Sequence, residues 1–337
     1  MKLVTYIRPA GGPPRVGAID SRLEAVIDLA AAAERFEQPT GAFTDMLTLL
    51  EQGPAALEEA RNILERAERD APAGLMDELS TVTLLAPVPR PRSIRDCLAF
   101  EGHLIQAMRT VAGWKFPPLA WIDRGLARVL GRGCLRPPRV WYERPIYYKG
   151  NPASVVGADA DIEWPSFTDR LDFELEFGVF IGRRGKNIPV SDAASYIAGF
   201  TIFNDFSARD LQLREMQGRL GPAKSKDFDT GNAIGPWLVT RDEVHRPYGL
   251  EMIARVNGEE WSRGNSGRMH FSFEEIIAAV SEAETLHPGD FIGSGTVPGG
   301  CGLELDRWIS PGDVIELEVS GLGILRNRIV RAKQPAG

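Results

Sequence analysis

The chain has 337 residues, enough for a large core and, by length, two domains. Its hydrophobic share of 43% and charged share of 25% are those of a folded globular chain, not a disordered or membrane-spanning one. With 39 Lys and Arg against 46 Asp and Glu, the net charge of −7 argues against nucleic acid or an anionic membrane as a main partner; an anionic ligand needs a local cationic pocket.

The first residues, Met1–Pro9, hold only a brief apolar run before Arg8 and read as a strand start, not a signal peptide. No apolar stretch is long enough to span a membrane. Short strands are expected at Leu3–Ile7 and Val26–Leu29. A helix is expected over Ala55–Asp70, with Leu57, Ala60, Leu64 and Ala67 on one stripe. Residues 1–86 therefore read as a small α+β domain. The proline-rich stretch Pro87–Arg92 marks the boundary to a second domain, 87–337, dominated by short strands between Gly, Pro and Asp turns. Cys97, Cys134 and Cys301 are odd in number and widely spaced, without a CxxC. They point to a reducing compartment, the cytoplasm, with no structural disulfide or thiolate zinc site.

Asp96 and His103 follow the boundary, seven residues apart, two turns if the segment is helical. The stretch Gly113–Tyr142 is rich in Trp, Pro and Arg. It reads as irregular: a lid, a specificity insert or plain surface. Tyr148–Val156 reads as a turn into a strand. The most informative run is Leu171–Ile181. Alternation puts Phe173, Leu175, Phe177, Val179 and Ile181 on one face, and Asp172, Glu174 and Glu176 on the other. Carboxylates so placed repel one another unless a cation sits among them, and a hard divalent cation suits oxygen ligands. The ordinary alternative is a solvated outer sheet face. Asp205, in Asn204–Asp210, is placed to add a ligand from a neighbouring strand end.

Lys226 follows, in Lys224–Thr230, where an ammonium can stabilise an enolate or oxyanion, so its role is expected in chemistry more than in folding. Lys224 is the alternative register. A helix is expected from Ser272, with a Ser272/Glu275 capping box and a stripe of Phe273, Ile276, Ile277 and Val280. The block Gly293–Leu305 matches neither a dinucleotide fingerprint nor a P-loop. Its glycines suit close backbone approach to a ligand, with Thr296 and Glu304 as polar groups, or simply a tight turn. Val314–Val319 alternates as a half-buried strand. No Gly-x-Ser-x-Gly elbow supports a serine nucleophile.

These blocks, in this order over about Ser93–Val330, resemble the fumarylacetoacetate hydrolase family. The resemblance implies an α+β, mainly β fold: a mixed β-sandwich roll behind the small N-terminal domain, assembled as a homodimer. It implies Asp96, Glu174, Glu176 and Asp205 as ligands of Mg²⁺, with Ca²⁺ or Mn²⁺ as alternatives. It implies His103 as the base that activates water, Glu304 as the carboxylate that orients it, and Lys226 as the catalytic cation. Tyr148, Arg209, Gln212 and Thr296 are similar to its substrate-contacting groups. Departures fall at Met216, where fumarylacetoacetases carry a Tyr, at Lys149-Gly150-Asn151 and in Gly113–Tyr142, so metal and base transfer further than substrate identity.

The leading expectation is a metal-dependent hydrolase that cleaves a carbon–carbon bond in a β-diketo acid or acylpyruvate-like small molecule. The alternative within the family is a decarboxylase, isomerase or hydratase acting on the enol of a 2-oxo acid. Outside catalysis, a carboxylate cage can hold Ca²⁺ purely for structure, in a binding protein.

Overall fold

A computed structural model describes residues 1–70 and 74–331. Its frame is a 12-stranded mixed sheet. The sheet order is Met76–Glu78, Ala25–Asp28, Arg15–Ile19, Lys2–Ile7, Asn232–Thr240, Ile197–Asp205, Leu175–Ile181, Asp290–Gly293, Ser93–Cys97 and Tyr147–Gly150. Thr83–Leu84 and Val155–Val156 pair off this path. Most pairs are antiparallel; Asp290–Gly293 runs parallel to Ser93–Cys97. A second sheet of five strands, Glu259–Asn265, Glu251–Val256, Val314–Val319, Gly323–Arg331 and Asp161–Trp164, packs against one face of the first. This is the expected α+β fold on mixed sheets.

The core between the sheets holds Phe173, Leu175, Phe177, Val179 and Ile181, the face that alternation predicts. Phe273 closes it, its ring centroid 5.1 Å from Phe177 and 6.2 Å from Phe200. That residue opens the helix Phe273–Val280, whose predicted capping box is present: Ser272 Oγ accepts from the Glu275 N–H, and Glu275 Oε2 accepts from the Ser272 N–H. The opposite face of the large sheet, with Phe180, Phe203 and Phe291, packs on the helices Leu29–Arg35, Met46–Gln52 and Pro54–Asp70. Each fully buried phenylalanine contributes about 1.5–3 kcal/mol. A central sheet covered on both sides leaves no solvated strand face, so the polar residues of Leu171–Ile181 are buried too.

Strand Ala25–Asp28 ends one residue earlier than expected, because Asp28 caps the helix Leu29–Arg35 by accepting from the Ala31 N–H at 3.0 Å. Strand Lys2–Ile7 pairs with Asn232–Thr240, and Thr5 Oγ1 donates to the Pro87 carbonyl at 2.6 Å, so the large sheet runs through both segments that the prolines divide. Asp96 and His103 do not share a helix. Asp96 lies in the strand Ser93–Cys97, and His103 lies in the first turn of the helix Glu101–Lys115. The stretch expected to be irregular is largely helical, with Pro117–Leu130 and Arg139–Glu143.

Candidate active site

Three strands of the large sheet bring three carboxylates together. Asp96 comes from Ser93–Cys97, Glu176 from Leu175–Ile181 and Asp205 from the end of Ile197–Asp205. One oxygen from each lies within 4.8 Å of the others. They project from the face that also carries Ile94, Phe180 and Phe203, by the two-residue repeat of each strand. Gly293 pairs with Asp96, and a Cβ there would sit 2.4 Å from Asp96 Oδ1. Gly295, at φ +78°, donates its N–H to the same oxygen at 3.1 Å. Gly293 and Gly295 thus let the backbone approach the Asp96 carboxylate closely.

The remaining contacts leave the set short of positive charge. Thr296 Oγ1 donates to Glu176 Oε1 at 3.2 Å, and Tyr148 OH donates to Asp205 Oδ2 at 2.7 Å. Glu176 Oε2 and Asp205 Oδ1 are buried with no hydrogen-bond partner. Burial pushes Asp96 up to about 6 and Asp205 up to about 8, while burial and the neighbouring carboxylates push Glu176 well above the usual range. Orphaned, buried, oxygen-only donors fit a hard divalent cation, which would restore their charged forms.

Glu174 is turned elsewhere. The strand breaks around it. Asp172 pairs with Ser207, and Glu174 forms a single bridge with Cys301. The Glu174 carboxylate accepts from Arg209 Nη2 at 2.7 Å and from Lys226 Nζ at 2.6 Å. Burial alone would raise its pKa, but Lys226 and Arg209 hold it well below the ordinary value. Of the four carboxylates expected as ligands, Asp96, Glu176 and Asp205 converge, whereas Glu174 is held by Arg209 and Lys226. Lys226 Nζ links the two parts, because it also reaches Asp205 Oδ2 at 2.5 Å. Lys226 is buried, whereas Lys224 is exposed and donates to the Asp227 carbonyl, so Lys226 is the lysine that meets the carboxylates.

The expected His–Glu pair is formed. His103 Nδ1 lies 2.7 Å from Glu304 Oε1, with the His103 ring buried and the Glu304 side chain fully so. Glu304 Oε2 accepts from the Gly299 N–H at 2.9 Å. With the carboxylate as acceptor, Nδ1 carries hydrogen and Nε2 is the acceptor of the neutral ring. Burial lowers the His103 pKa, Glu304 raises it, and the net shift is upward from 6.5. Gly102 lets the helix start press on Pro298, where a Cβ would meet the ring at 2.9 Å.

Arg209 and Gln212 meet each other, Gln212 Oε1 accepting from Arg209 Nη1 at 2.8 Å. Asp172 is the residue that sequence reasoning misplaced. Instead of joining the carboxylate set, it accepts from the Gly302 and Leu303 N–H groups at 2.7 and 2.9 Å, and from Arg209 Nε at 2.8 Å. It thereby fixes the short helix Gly302–Leu305 that presents Glu304. Its signal was the strand break at Glu174, which only the distant partners Ser207 and Cys301 reveal.

Residues 126–330 match the family model described as fumarylacetoacetate (FAA) hydrolase, C-terminal. The chain is 33% identical over 333 residues to human "Oxaloacetate tautomerase FAHD2A, mitochondrial", covering 98% of this chain and 92% of that protein. It is 30% identical over 312 residues to "Oxaloacetate tautomerase YisK" of Bacillus subtilis, covering 91% of this chain and 93% of that protein. The crystal structure of maleylpyruvate hydrolase from Sphingobium sp. SYK-6, in complex with manganese(II) ion and pyruvate, shares the fold. Its TM-score is 0.69 at 20% identity, over 99% of this chain and 100% of that one. The chain belongs to the fumarylacetoacetate hydrolase family. It is thus an enzyme of a family whose members act on small molecules, under tautomerase as well as hydrolase names. Among the described residues, no helix is long and apolar enough to cross a membrane.

Proposed function

We propose that this chain is a divalent-metal enzyme that interconverts the keto and enol forms of 2-oxo dicarboxylic acids, with oxaloacetate as the simplest member. The observation that carries the reading is the convergence of Asp96, Glu176 and Asp205 from three strands, with oxygens left for a cation. The 30–33% identity to two oxaloacetate tautomerases over nearly the whole chain supports the same reading.

In this proposal Asp96, Glu176 and Asp205 hold the ion, Mg²⁺ or Mn²⁺, with Glu174 beside them. When bound, the ion supplies Lewis-acid stabilisation of enolate charge. Lys226 adds positive charge at the same carboxylates. Neutral His103 accepts a proton at Nε2 and returns it, while Glu304 fixes the ring and favours the imidazolium between the two transfers. Arg209, anchored by Asp172 and Gln212, and the hydroxyls of Tyr148 and Thr296 orient the substrate. The chain acts as a homodimer in this proposal, as the family resemblance implies.

The His103–Glu304 pair also favours a second reading, carbon–carbon hydrolysis of an acylpyruvate, because the same base can activate water. Two assays run in parallel with Mg²⁺ or Mn²⁺ decide. One follows the ultraviolet decay of enol-oxaloacetate, and the other follows pyruvate release from acylpyruvates. Accelerated ketonisation without cleavage supports tautomerisation. Cleavage that outpaces ketonisation replaces it with hydrolysis, and inactivity in both removes the enzymatic proposal.

A further inference from the structure

An open cavity of about 890 Å³ lies between the helix Glu101–Lys115, the helix Pro117–Leu130 and the short helix Gly302–Leu305. Glu304 lines it, so it adjoins the His103–Glu304 pair. Four arginines also line it: Arg109, Arg124, Arg132 and Arg136. Its carboxylates already have donors, and that of Glu304 is fully buried against His103. Glu101 accepts from Tyr142 OH at 2.5 Å, Glu304 pairs with His103, and Asp306 accepts from Trp114 Nε1 at 3.2 Å.

The arginines are less occupied. Arg109 is tied to buried Asp123 at 2.5 Å. Arg124 Nε donates to the Ala120 carbonyl at 3.3 Å. Among the described residues, Arg124, Arg132 and Arg136 have no carboxylate within ion-pair distance. Three guanidiniums without an ion-pair partner face two carboxylates, Glu101 and Asp306, that only neutral donors hold, which leaves the cavity a small excess of positive charge and three free guanidinium forks for an anion. The volume suits a ligand well beyond four carbons.

We propose that this cavity takes the anionic tail of a 2-oxo acid whose reacting head lies at the carboxylate cluster. The preferred substrate is then a diacid longer than oxaloacetate, and Arg124, Arg132 and Arg136 select its far carboxylate. The head-group assignment rests on the keto–enol reading above; the tail pocket rests on the arginines alone. This gives the helical stretch Gly113–Tyr142 a specificity role.

Titration calorimetry on the full-length, Mg²⁺-supplemented protein tests the proposal. 2-Oxoadipate and 2-oxohexanoate differ only by a carboxylate in place of the terminal methyl. The expected result is at least about tenfold tighter binding of 2-oxoadipate, a preference that shrinks as ionic strength rises. In Arg132→Gln/Arg136→Gln the two affinities converge. Both arginines are exposed, so the melting temperature stays near wild type. Equal affinities in the wild type, no binding of either acid, or a preference untouched by the double substitution each overturn the proposal. Deuterium incorporation at C3 of the same acids separates the two readings. A tail preference without exchange keeps the pocket and removes keto–enol chemistry, whereas exchange without a preference does the reverse.

Discussion

The two halves of the proposed site are built from different material. The carboxylates Asp96, Glu176 and Asp205 come from one sheet covered on both faces, two from adjacent strands and Asp96 from the other side of the strand Asp290–Gly293, and are almost fully buried. The arginine-lined wall comes from surface helices and the loop 131–138 between them, where Trp121 is 80% and Val129 82% exposed on the adjoining helix. Strand register holds the first half, because shifting one strand would unpair its neighbours and turn its carboxylate to the other face. The second half tolerates change, since surface residues contribute little to stability. Chemistry common to a family fits the first kind of frame, and substrate choice fits the second. His103 and Glu304 join the halves, each placed on a short helix start that packs against the sheet block.

The largest predicted effect falls on the buried half. Glu176→Gln should lower turnover by roughly 10³-fold or more, the scale of losing an ion's charge stabilisation. It should also remove the rise in melting temperature that Mg²⁺ or Mn²⁺ gives the wild type. The metal-free variant should melt no lower than metal-free wild type, because one carboxylate fewer eases repulsion among buried acids. A variant that is still stabilised by the ion would break the comparison.

His103→Ala should lower kcat by roughly 10²–10⁴ while metal-induced stabilisation persists. Loss of that stabilisation would place His103 in the buried half.

Lys226 sharpens the contrast with what the sequence suggests. A lysine acting only in chemistry could be replaced by Met without loss of stability. The structure instead buries Lys226 between Glu174 and Asp205, so Lys226→Met leaves Asp205 without a cation and Glu174 with Arg209 alone. Metal-free Lys226→Met should lose roughly 3–5 kcal/mol of stability, the scale for breaking a buried pair, and kcat should fall as well. Lys224→Met should change neither in chemical denaturation or turnover. An equal effect from the two lysines would refute the assignment.

The smallest effect is on pH. His103 must be neutral to accept a proton, and Glu304 raises its pKa above 6.5. Turnover should therefore rise with pH through an apparent pKa above 6.5, because the protonated ring cannot act as base below it. Glu304→Gln removes the main raising influence and should move that acid limb to lower pH. An acid limb that stays in place would remove Glu304 from the proton-transfer pair.

Local chemistry was legible in the chain. The capping box at Ser272 and Glu275 and the apolar face of Leu171–Ile181 depend on near neighbours, and both form as read. What failed depended on distant partners. The acidic face reads as a metal cage or, alternatively, as a solvated outer face, and the alternative fails because the N-terminal helices that cover the sheet lie more than 100 residues earlier in the chain. Asp172 and Glu174 part company because Ser207 and Cys301 pair with them. The helix Pro117–Leu130 was missed for two local reasons. Its opening prolines read as loop although proline is favoured in a first turn, and its large apolar residues face solvent instead of forming a buried stripe. The candidate residues His103, Glu304 and Lys226 were legible as types in an order, but their distances were not.

The most direct test of the central claim, a cation held by Asp96, Glu176 and Asp205 that drives enol chemistry, is a Mn²⁺ titration of EDTA-treated protein read by enol-oxaloacetate ketonisation. Expected are negligible acceleration without metal, saturable activation at one ion per chain, and no activation in Glu176→Gln. Full activity in EDTA, or activation of Glu176→Gln at the wild-type Mn²⁺ concentration, would contradict it.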